Sequence, residues 1–165
     1  MAKREIERTV QPSVLDRLTD EEPRSPADRR VSYLESLQQF KRSVQRDLEW
    51  LLNSRRTPDP APESFEELRG SLYHYGIVDV TSLSDSAPSR ARLLKQVSEA
   101  LATFEPRLAN VRISIVEQEG EAHRRELRFV IEGTLRVDPS PEQVAFDTVL
   151  HFSTGEIDVT RSTDA

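Results

Sequence analysis

Hydrophobic residues follow two different periods along the chain, one typical of helices and one typical of strands. In the first two thirds of the chain they recur every three or four positions, which predicts a long helix from about Ser32 to Asn53 and a second helix over residues 89–103. A shorter helix is predicted between them over residues 63–69, ended by Gly70. The apolar stripe of the long helix consists of Leu34, Leu37, Phe40, Val44, Leu48 and Leu51.

From residue 111 onwards the apolar period is two, as expected of strands with one buried face. Gly133 lies on the apolar face of the second strand and indicates a bend or a bulge there. Residues 31–165 are therefore predicted to form a single α+β domain, in which N-terminal helices pack on an antiparallel meander of three to four strands. The predicted strands cover residues 111–117, 125–137, 143–152 and 156–160.

Residues 1–30 form a mostly charged N-terminal arm that contains three prolines. Ser13 and Asp16 have the spacing of a capping box, which predicts a short helix inside the arm. The pattern leaves two interpretations open. The arm is either an extended tail with a chance helical turn, or a segment that docks on a neighbouring protein through its three apolar residues, Val14, Leu15 and Leu18.

A rigid corner, Glu105-Pro106-Arg107, joins the second long helix to the first strand. Proline has no backbone N–H and fixes its own φ, and it biases the preceding residue away from helical angles. The corner is predicted to present one carboxylate and one guanidinium, a pair suited to docking on another protein. Glu105 is also the one residue here that resembles a catalytic acid, so the interpretation of this corner decides between a structural and an enzymatic role.

The composition narrows the class of partner. The chain has 165 residues, a net charge of −6 and a pI of about 5.2, which argues against a nucleic acid or an anionic membrane as the main partner. Absence of cysteine excludes disulfides and thiolate chemistry. No apolar run approaches the roughly 20 residues of a membrane helix, and no signal peptide is visible. A soluble, cytoplasmic chain without direct membrane insertion is expected.

No cofactor or metal site is expected either. The three histidines, His74, His123 and His151, do not have the spacing of a zinc motif. The chain has only five glycines and no glycine-rich phosphate loop. It also lacks the G-x-S-x-G pattern of serine hydrolases.

Glycoside hydrolysis is the enzymatic alternative. It requires a second carboxylate near Glu105, for which Asp79 and Asp147 are the candidates, and a general acid without a nearby positive charge. Arg107 lies two residues from Glu105, and aromatic residues make up only 6% of the chain, whereas sugar-binding sites tend to be rich in aromatic residues. The sequence therefore favours a non-enzymatic protein.

Several segments together resemble one family. They are the Glu105-Pro106-Arg107 corner before a Val/Ile strand, the helix end RDLEWLLNSR at 46–55, VLDRL at 14–18, YGIVD at 75–79 and VAFDT at 144–148. The chain resembles TssE, the baseplate component of type VI secretion systems, which is similar to the sheath-initiating wedge protein of contractile phage tails.

The resemblance implies structural work in an assembly. TssE-like proteins occupy the baseplate wedge with TssF, TssG and TssK around a VgrG hub, at the inner face of the cytoplasmic membrane. Their sheet resembles a domain of the sheath proteins TssB and TssC, so they start sheath polymerisation. The family is often labelled lysozyme-like, and that label implies no catalytic mechanism. By this resemblance Glu105, Pro106 and Arg107 are interaction residues.

Three functions thus remain to be compared: a baseplate scaffold that recruits sheath by strand pairing, a peptidoglycan hydrolase using Glu105, and a general module that binds peptides at a sheet edge. For strand pairing, the last strand at 156–160 is the expected edge, with Ile157 and Val159 setting the register. The strand at 111–117 is the other candidate edge.

Overall fold

Helices come first and strands follow along the described part of the chain, which comprises residues 9–19, 24, 31–59, 64–80, 86–116 and 126–162 of a computed structural model. The helices are α1 (Val14–Leu18), α2 (Tyr33–Asn53), α3 (Glu66–Arg69) and α4 (Ala87–Phe104), and a 3-10 turn covers Leu72–His74. The strands are β1 (Leu108–Ile115), β2 (Glu126–Leu135), β3 (Glu142–His151) and β4 (Ile157–Arg161).

The four strands form one antiparallel sheet in the order β1-β2-β3-β4. Every strand therefore pairs with its neighbour in sequence, and β1 and β4 are the two edges. The predicted α+β class and the predicted meander are both confirmed. The turn predicted around Gly120 and His123 lies outside the described residues.

Alternation along β2 and β3 gives the sheet one apolar face. The side chains on that face are almost fully buried, with Phe129 at 1% exposure and Phe146 at 0%. Burying an aliphatic or aromatic side chain of this size stabilises a fold by about 1.5–3 kcal/mol. The core residues of the two central strands are Leu127, Phe129, Ile131, Leu135, Val144, Phe146 and Leu150.

Helices α2 and α4 cover different parts of the sheet. Helix α2 packs against β4, whereas α4 packs against β1. Each helix contributes side chains to the core, for example Leu48 from α2 and Leu101 from α4, which both have 0% exposure. The two edges of the sheet thus have different helical neighbours, and this difference sets the environment of each edge.

Helix α2 begins with the predicted capping box. The Ser32 hydroxyl accepts from the Glu35 N–H, and the Glu35 carboxylate accepts from the Ser32 N–H. The predicted stripe is wrong at one position, because Leu34 is 71% exposed. In the N-terminal half of α2, the arm binds to the side of the helix that carries Ser36. Leu34 lies roughly on the opposite side of the helix, so the arm does not cover it.

A β-bulge interrupts β1 between Ala109 and Arg112. Asn110 has a φ of 53°, a left-handed conformation that asparagine tolerates better than most residues. Gly133 lies opposite the bulge on β2, and a Cβ there would come within 2.8 Å of the Leu108 side chain. The bulge indicated by Gly133 is therefore present, on the neighbouring strand rather than on its own.

Candidate interaction surfaces

Glu105 and Arg107 bind each other rather than projecting separately. Helix α4 ends at Phe104, and the Glu105 N–H donates to the Leu101 carbonyl, which turns the Glu105 side chain inward. Both carboxylate oxygens of Glu105 then accept from the Arg107 guanidinium, one from Nε and one from Nη2. Glu105 is only 4% exposed. The expectation that the corner presents both charges is therefore wrong for Glu105.

The Arg107 guanidinium also binds α2. Its Nη2 donates to Asp47 Oδ2 at 2.7 Å, and its Cζ lies 5.7 Å from the centre of the Phe40 ring. Burial lowers the pKa of Arg107, but the hydrogen bonds and charges of Glu105 and Asp47 outweigh it and raise the pKa overall. Arg107 is thus a permanently charged link between the start of β1 and α2.

The network continues from Asp47 to the arm. Asp47 Oδ1 accepts from the Arg46 guanidinium, and Arg46 Nη1 donates to Asp16 Oδ1 at 2.8 Å. The other oxygen of Asp16 accepts at 2.6 Å from both Ser13 and Ser43. Five charged side chains alternating in sign therefore connect the α4–β1 corner to α2 and α1.

Asp16 is the arm's main polar anchor. Burial raises the pKa of its carboxyl group, but hydrogen bonds from Ser13, Ser43 and Arg46 prevail and lower the pKa from 3.8 to about 2. Close by in sequence, Val10 is buried, and its N–H donates to the Ser36 hydroxyl at 3.0 Å. The arm therefore lies along α2 and is held there by these polar contacts and by the burial of Val10 in the core.

The apolar residues of α1 do not contribute to this attachment. None of the residues of α1 is buried, and Val14 and Leu18 are 71% and 80% exposed. Leu15 is 44% exposed. The arm thus carries an exposed apolar surface on a segment fixed by its polar residues, and its role in docking stays a prediction.

The edge at β4 is largely covered by α2. Hydrogen bonds at Glu156 and Ser162 face β3, so the alternation of an antiparallel ladder turns the backbone groups of Ile157 and Val159 outward. Asn53 binds both the N–H and the carbonyl of Ile157, at 2.9 and 2.7 Å. Gln45 donates to the carbonyl of Val159 at 2.9 Å.

The side chains of Ile157 and Val159 point away from any partner strand, since they are 1% and 3% exposed and belong to the core. They fix β4 on its own sheet. Only the backbone groups of Ile157 and Val159 are oriented to pair with a second strand. Three of these four outward groups already form hydrogen bonds with side chains of α2.

The edge at β1 is different. The Val116 N–H donates to the Arg128 carbonyl, so the same alternation turns the backbone groups of Ile113 and Ile115 outward. No residue in the described ranges hydrogen-bonds to these four groups. The neighbouring side chains of Ile115 and Val116 are 37% and 44% exposed. An unpaired edge flanked by apolar side chains is a template for another strand.

Sequence reasoning missed the residues that distinguish the two edges. Asn53 and Gln45 were assigned only to a helix, and their β4 partners lie 104 and 114 positions away in sequence. Asp47 was likewise missed as the partner of Arg107, 60 positions away. No local pattern distinguishes a helix-surface amide that covers a strand edge from one that faces solvent.

A family model described as baseplate wedge protein gp25 matches residues 38–140, more than half of the chain. The chain belongs to this family. TssE is a member of the same family, so the resemblance seen in the sequence is confirmed. Membership in the gp25 family supports a structural role in the baseplate of a contractile injection system, rather than an enzymatic one.

The gp25 match does not cover all the candidate surfaces. It includes the Glu105–Arg107 corner and the whole of β1, whereas α1 and β4 lie outside it. No match was found among curated proteins or among solved structures. None of the described helices is long and apolar enough to cross a membrane.

Proposed function

We propose that this gp25-family chain is the TssE-type component of a type VI secretion baseplate, and that it links the wedge to the sheath. In this proposal it starts sheath polymerisation by offering a sheet edge to a strand of the TssB/TssC sheath. It works in the cytoplasm, at the inner face of the cytoplasmic membrane.

The open edge of β1 is the observation that carries the proposal. Ile113 and Ile115 direct outward backbone groups that have no partner among the described residues, and they lie inside the region matched by the gp25 family. Addition of a strand to such an edge supplies a ladder of main-chain hydrogen bonds, and alternate side chains supply specificity. Because three outward groups of β4 are bound by α2, we assign the pairing to β1 rather than to residues 156–160.

Contacts with TssF, TssG and TssK, and with the VgrG hub, are proposed for the remaining surfaces. Pro106 and the exposed part of Arg107 are one candidate, and the exposed apolar residues of α1 are a second. Glu105 contributes indirectly in this scheme, because it orients Arg107 from within the fold.

No observation favours the hydrolase alternative. Both oxygens of Glu105 accept from a guanidinium and its side chain is buried, so the carboxyl group is not positioned to reach a glycosidic oxygen. Asp79, one of the two candidate partners, is paired with Arg55 at 3.3 Å. A peptide-binding module of general specificity shares the open edge and differs from our proposal only in its partner.

The test is sheath assembly in cells that lack this chain and carry fluorescent TssB. Wild-type chain supplied in trans should restore extended sheaths, and the chain should co-purify with TssF and TssG. Sheaths that form normally without the chain would contradict the proposal. Co-purification with the wedge but no effect on sheath formation would retain the baseplate role and remove sheath initiation.

A further inference from the structure

Arg112 places a positive charge on the open edge of β1. Its side chain is exposed, and within the described residues its guanidinium takes part in no ion pair and no hydrogen bond. Glu132 is its cross-strand neighbour on β2, but these two described side chains are not paired. Arg128, which shares that face of β2, is bound to Glu126 at 3.1 Å. Arg112 thus has a guanidinium that is available to another molecule.

The side chains of β1 are divided between the two faces of the sheet. Ile113 lies opposite Ile131, and Ile115 lies opposite Phe129. Because Ile131 and Phe129 are core residues with 0% and 1% exposure, Ile113 and Ile115 belong to the face that the helices cover. Arg112 alternates with them and lies on the other face. A strand added to this edge therefore meets apolar side chains on one face and a cation on the other.

The pairing geometry gives an added strand close access to Arg112. In an antiparallel pair, the outward backbone groups of Ile113 and Ile115 bond to the added strand, so the residue opposite Arg112 occupies a non-hydrogen-bonded position. Cα atoms are only about 4.5 Å apart at such a position, and side chains come closest there. Glu132 lies opposite Arg112 at a hydrogen-bonded position of the β1–β2 pair, where the Cα separation is about 5.5 Å.

Charge complementarity then selects the side chain opposite Arg112. Opposite charges that face each other across two strands stabilise the pair, and like charges destabilise it. A carboxylate can accept two parallel hydrogen bonds from a guanidinium, whereas a lysine at the same position is repelled. On the other face, apolar side chains opposite Ile113 and Ile115 would extend the core and cover Ile115, which is 37% exposed.

We propose that the strand recruited to β1 carries an acidic residue opposite Arg112 and apolar residues opposite Ile113 and Ile115. Arg112 is then the residue that determines which strand is accepted. This inference rests on the proposed function, because it describes the strand that a sheath protein would contribute. The charge preference of the edge can nevertheless be measured without any sheath protein.

Capped synthetic peptides that read the same in both directions are the probes for the isolated chain. TVEVTVEVT presents a glutamate opposite Arg112 in either strand direction when its central threonine lies opposite Ser114. TVQVTVQVT and TVKVTVKVT replace the glutamates by glutamine or lysine. We expect the glutamate peptide to bind about threefold more tightly than the glutamine peptide and about tenfold more tightly than the lysine peptide. Shifts of the Ile113 and Ile115 amides in ¹H–¹⁵N spectra would measure the binding.

The net charge of the chain makes this ranking informative. The chain carries a net charge of −6, so general electrostatic attraction would favour the lysine peptide. Equal binding of the three peptides, or preference for lysine, would overturn the proposal whatever the role of the chain in the baseplate. Failure of the glutamate peptide to shift the Ile113 and Ile115 amides would overturn it as well.

Substitutions of Arg112 test whether this residue is the source of the preference. Arg112→Glu should reverse the ranking in favour of lysine, and Arg112→Gln should abolish it. The glutamine variant avoids placing a second carboxylate opposite Glu132, so it remains informative if the glutamate variant is unstable. Arg42→Glu makes the same change of charge at an exposed position of α2 and should leave the ranking unchanged. A glutamate preference that survives Arg112→Gln would contradict the proposal.

In cells that carry fluorescent TssB, Arg112→Glu should reduce the number of sheaths about tenfold relative to Arg42→Glu. Ile115→Pro, which removes an outward backbone donor of β1, separates this inference from the proposed function. Loss of sheaths in Ile115→Pro, with normal sheaths in Arg112→Glu, would retain pairing at β1 and overturn the acidic strand. Normal sheaths in both variants would overturn the pairing itself.

Discussion

The two edges of the sheet belong to the same meander but differ in what the adjacent helix does to their backbone. At β4, Asn53 and Gln45 bind the outward groups of Ile157 and Val159, so α2 replaces the missing strand. At β1, α4 packs alongside without hydrogen-bonding to the outward groups of Ile113 and Ile115. A sheet edge is thus open or closed according to the side chains nearby, and not according to its position in the topology.

The most direct test of the difference between the two edges is to place a proline at one residue of each edge whose backbone N–H points outward. Ile115→Pro removes a donor that faces away from β2, and Arg161→Pro removes one that faces away from β3. If a sheath strand pairs with β1, the first variant should reduce the number of sheaths per cell at least about tenfold. A loss of roughly 1.4 kcal/mol in the free energy of strand binding is enough to lower the affinity tenfold. The second should leave sheath formation near the wild-type level.

Fluorescent TssB counted by microscopy provides the measurement, with baseplate recruitment of each variant as the control. Circular dichroism should show that both variants are folded, because neither proline interrupts the ladder to the neighbouring strand. The opposite ranking, with Arg161→Pro as the more severe change, would move the pairing to β4.

The second prediction concerns what holds the start of β1. Arg107→Ala should lower the free energy of unfolding by about 3–5 kcal/mol, because it leaves the carboxylate of Glu105 buried without its partner. Urea denaturation would measure this. Arg112→Ala, at an exposed position of the same strand, is the matched control and should change it by less than about 0.5 kcal/mol. A stable Arg107→Ala variant that still loses baseplate contact would instead support a role in docking alone.

The third prediction concerns what closes β4. Asn53→Ala removes two hydrogen bonds to Ile157, so it should lower the free energy of unfolding by about 1–3 kcal/mol. Gln45→Ala removes one bond and should have about half that effect. Hydrogen exchange at the Ile157 amide should accelerate in the first variant only. Unchanged exchange in Asn53→Ala would mean that α2 does not close this edge.

The smallest effect on stability is expected from detaching the arm. Loss of the Asp16 contacts tests whether the difference between the two sheet edges depends on the arm. The pKa of Asp16 is lowered from 3.8 to about 2 in the folded chain. Its contribution to arm attachment is therefore complete above pH 3.8 and is lost as the pH falls through about 2. The attachment should be worth less than about 1 kcal/mol, since its ion pair is partly exposed.

NMR shifts of Val10, followed from about pH 5 down to about pH 1, would report arm attachment directly. Asp16→Asn should weaken arm attachment at neutral pH and leave the exchange rates at Ile113 and Ile157 unchanged. If detachment alters exchange at either edge, the arm takes part in setting the difference between them.

Periodicity predicted most of this fold from the sequence because the two long helices and the strands each bury one face. The predicted helix ends at Ser32 and Asn53 differ from the observed bounds of α2 by no more than one residue. The start of β1 was placed three residues late, since the bulge at Asn110 interrupts the alternation that a strand is recognised by. Periodicity therefore predicts helices and strands well, but it misplaces a strand boundary where a bulge inserts one extra residue and shifts the alternation of apolar and polar positions.

The interaction surfaces were harder to predict, for a different physical reason. Glu105 was expected at the surface because the rigid corner was predicted to present both of its charges. Its pairing with Arg107, which also binds Asp47, is what makes its burial possible. Such partners come from separate elements and leave no periodic signal. The composition of the arm left open whether α1 is part of an extended tail or a docking segment, and the attachment of the arm through Asp16 depends on residues of α2.

The bulge in β1 also bears on how this strand tolerates changes in length. Ala109 pairs with Thr134 and Arg112 with Glu132, so two residues lie opposite Gly133 where a regular ladder has one. Deleting Asn110 would restore a regular ladder without moving any later side chain from one face of the sheet to the other. Asn110 is thus an extra residue that changes the direction of β1 rather than its pairing, because a bulge increases the local twist of a strand. Variants shortened by this one residue should keep the core and redirect whatever strand is added beside Ile113.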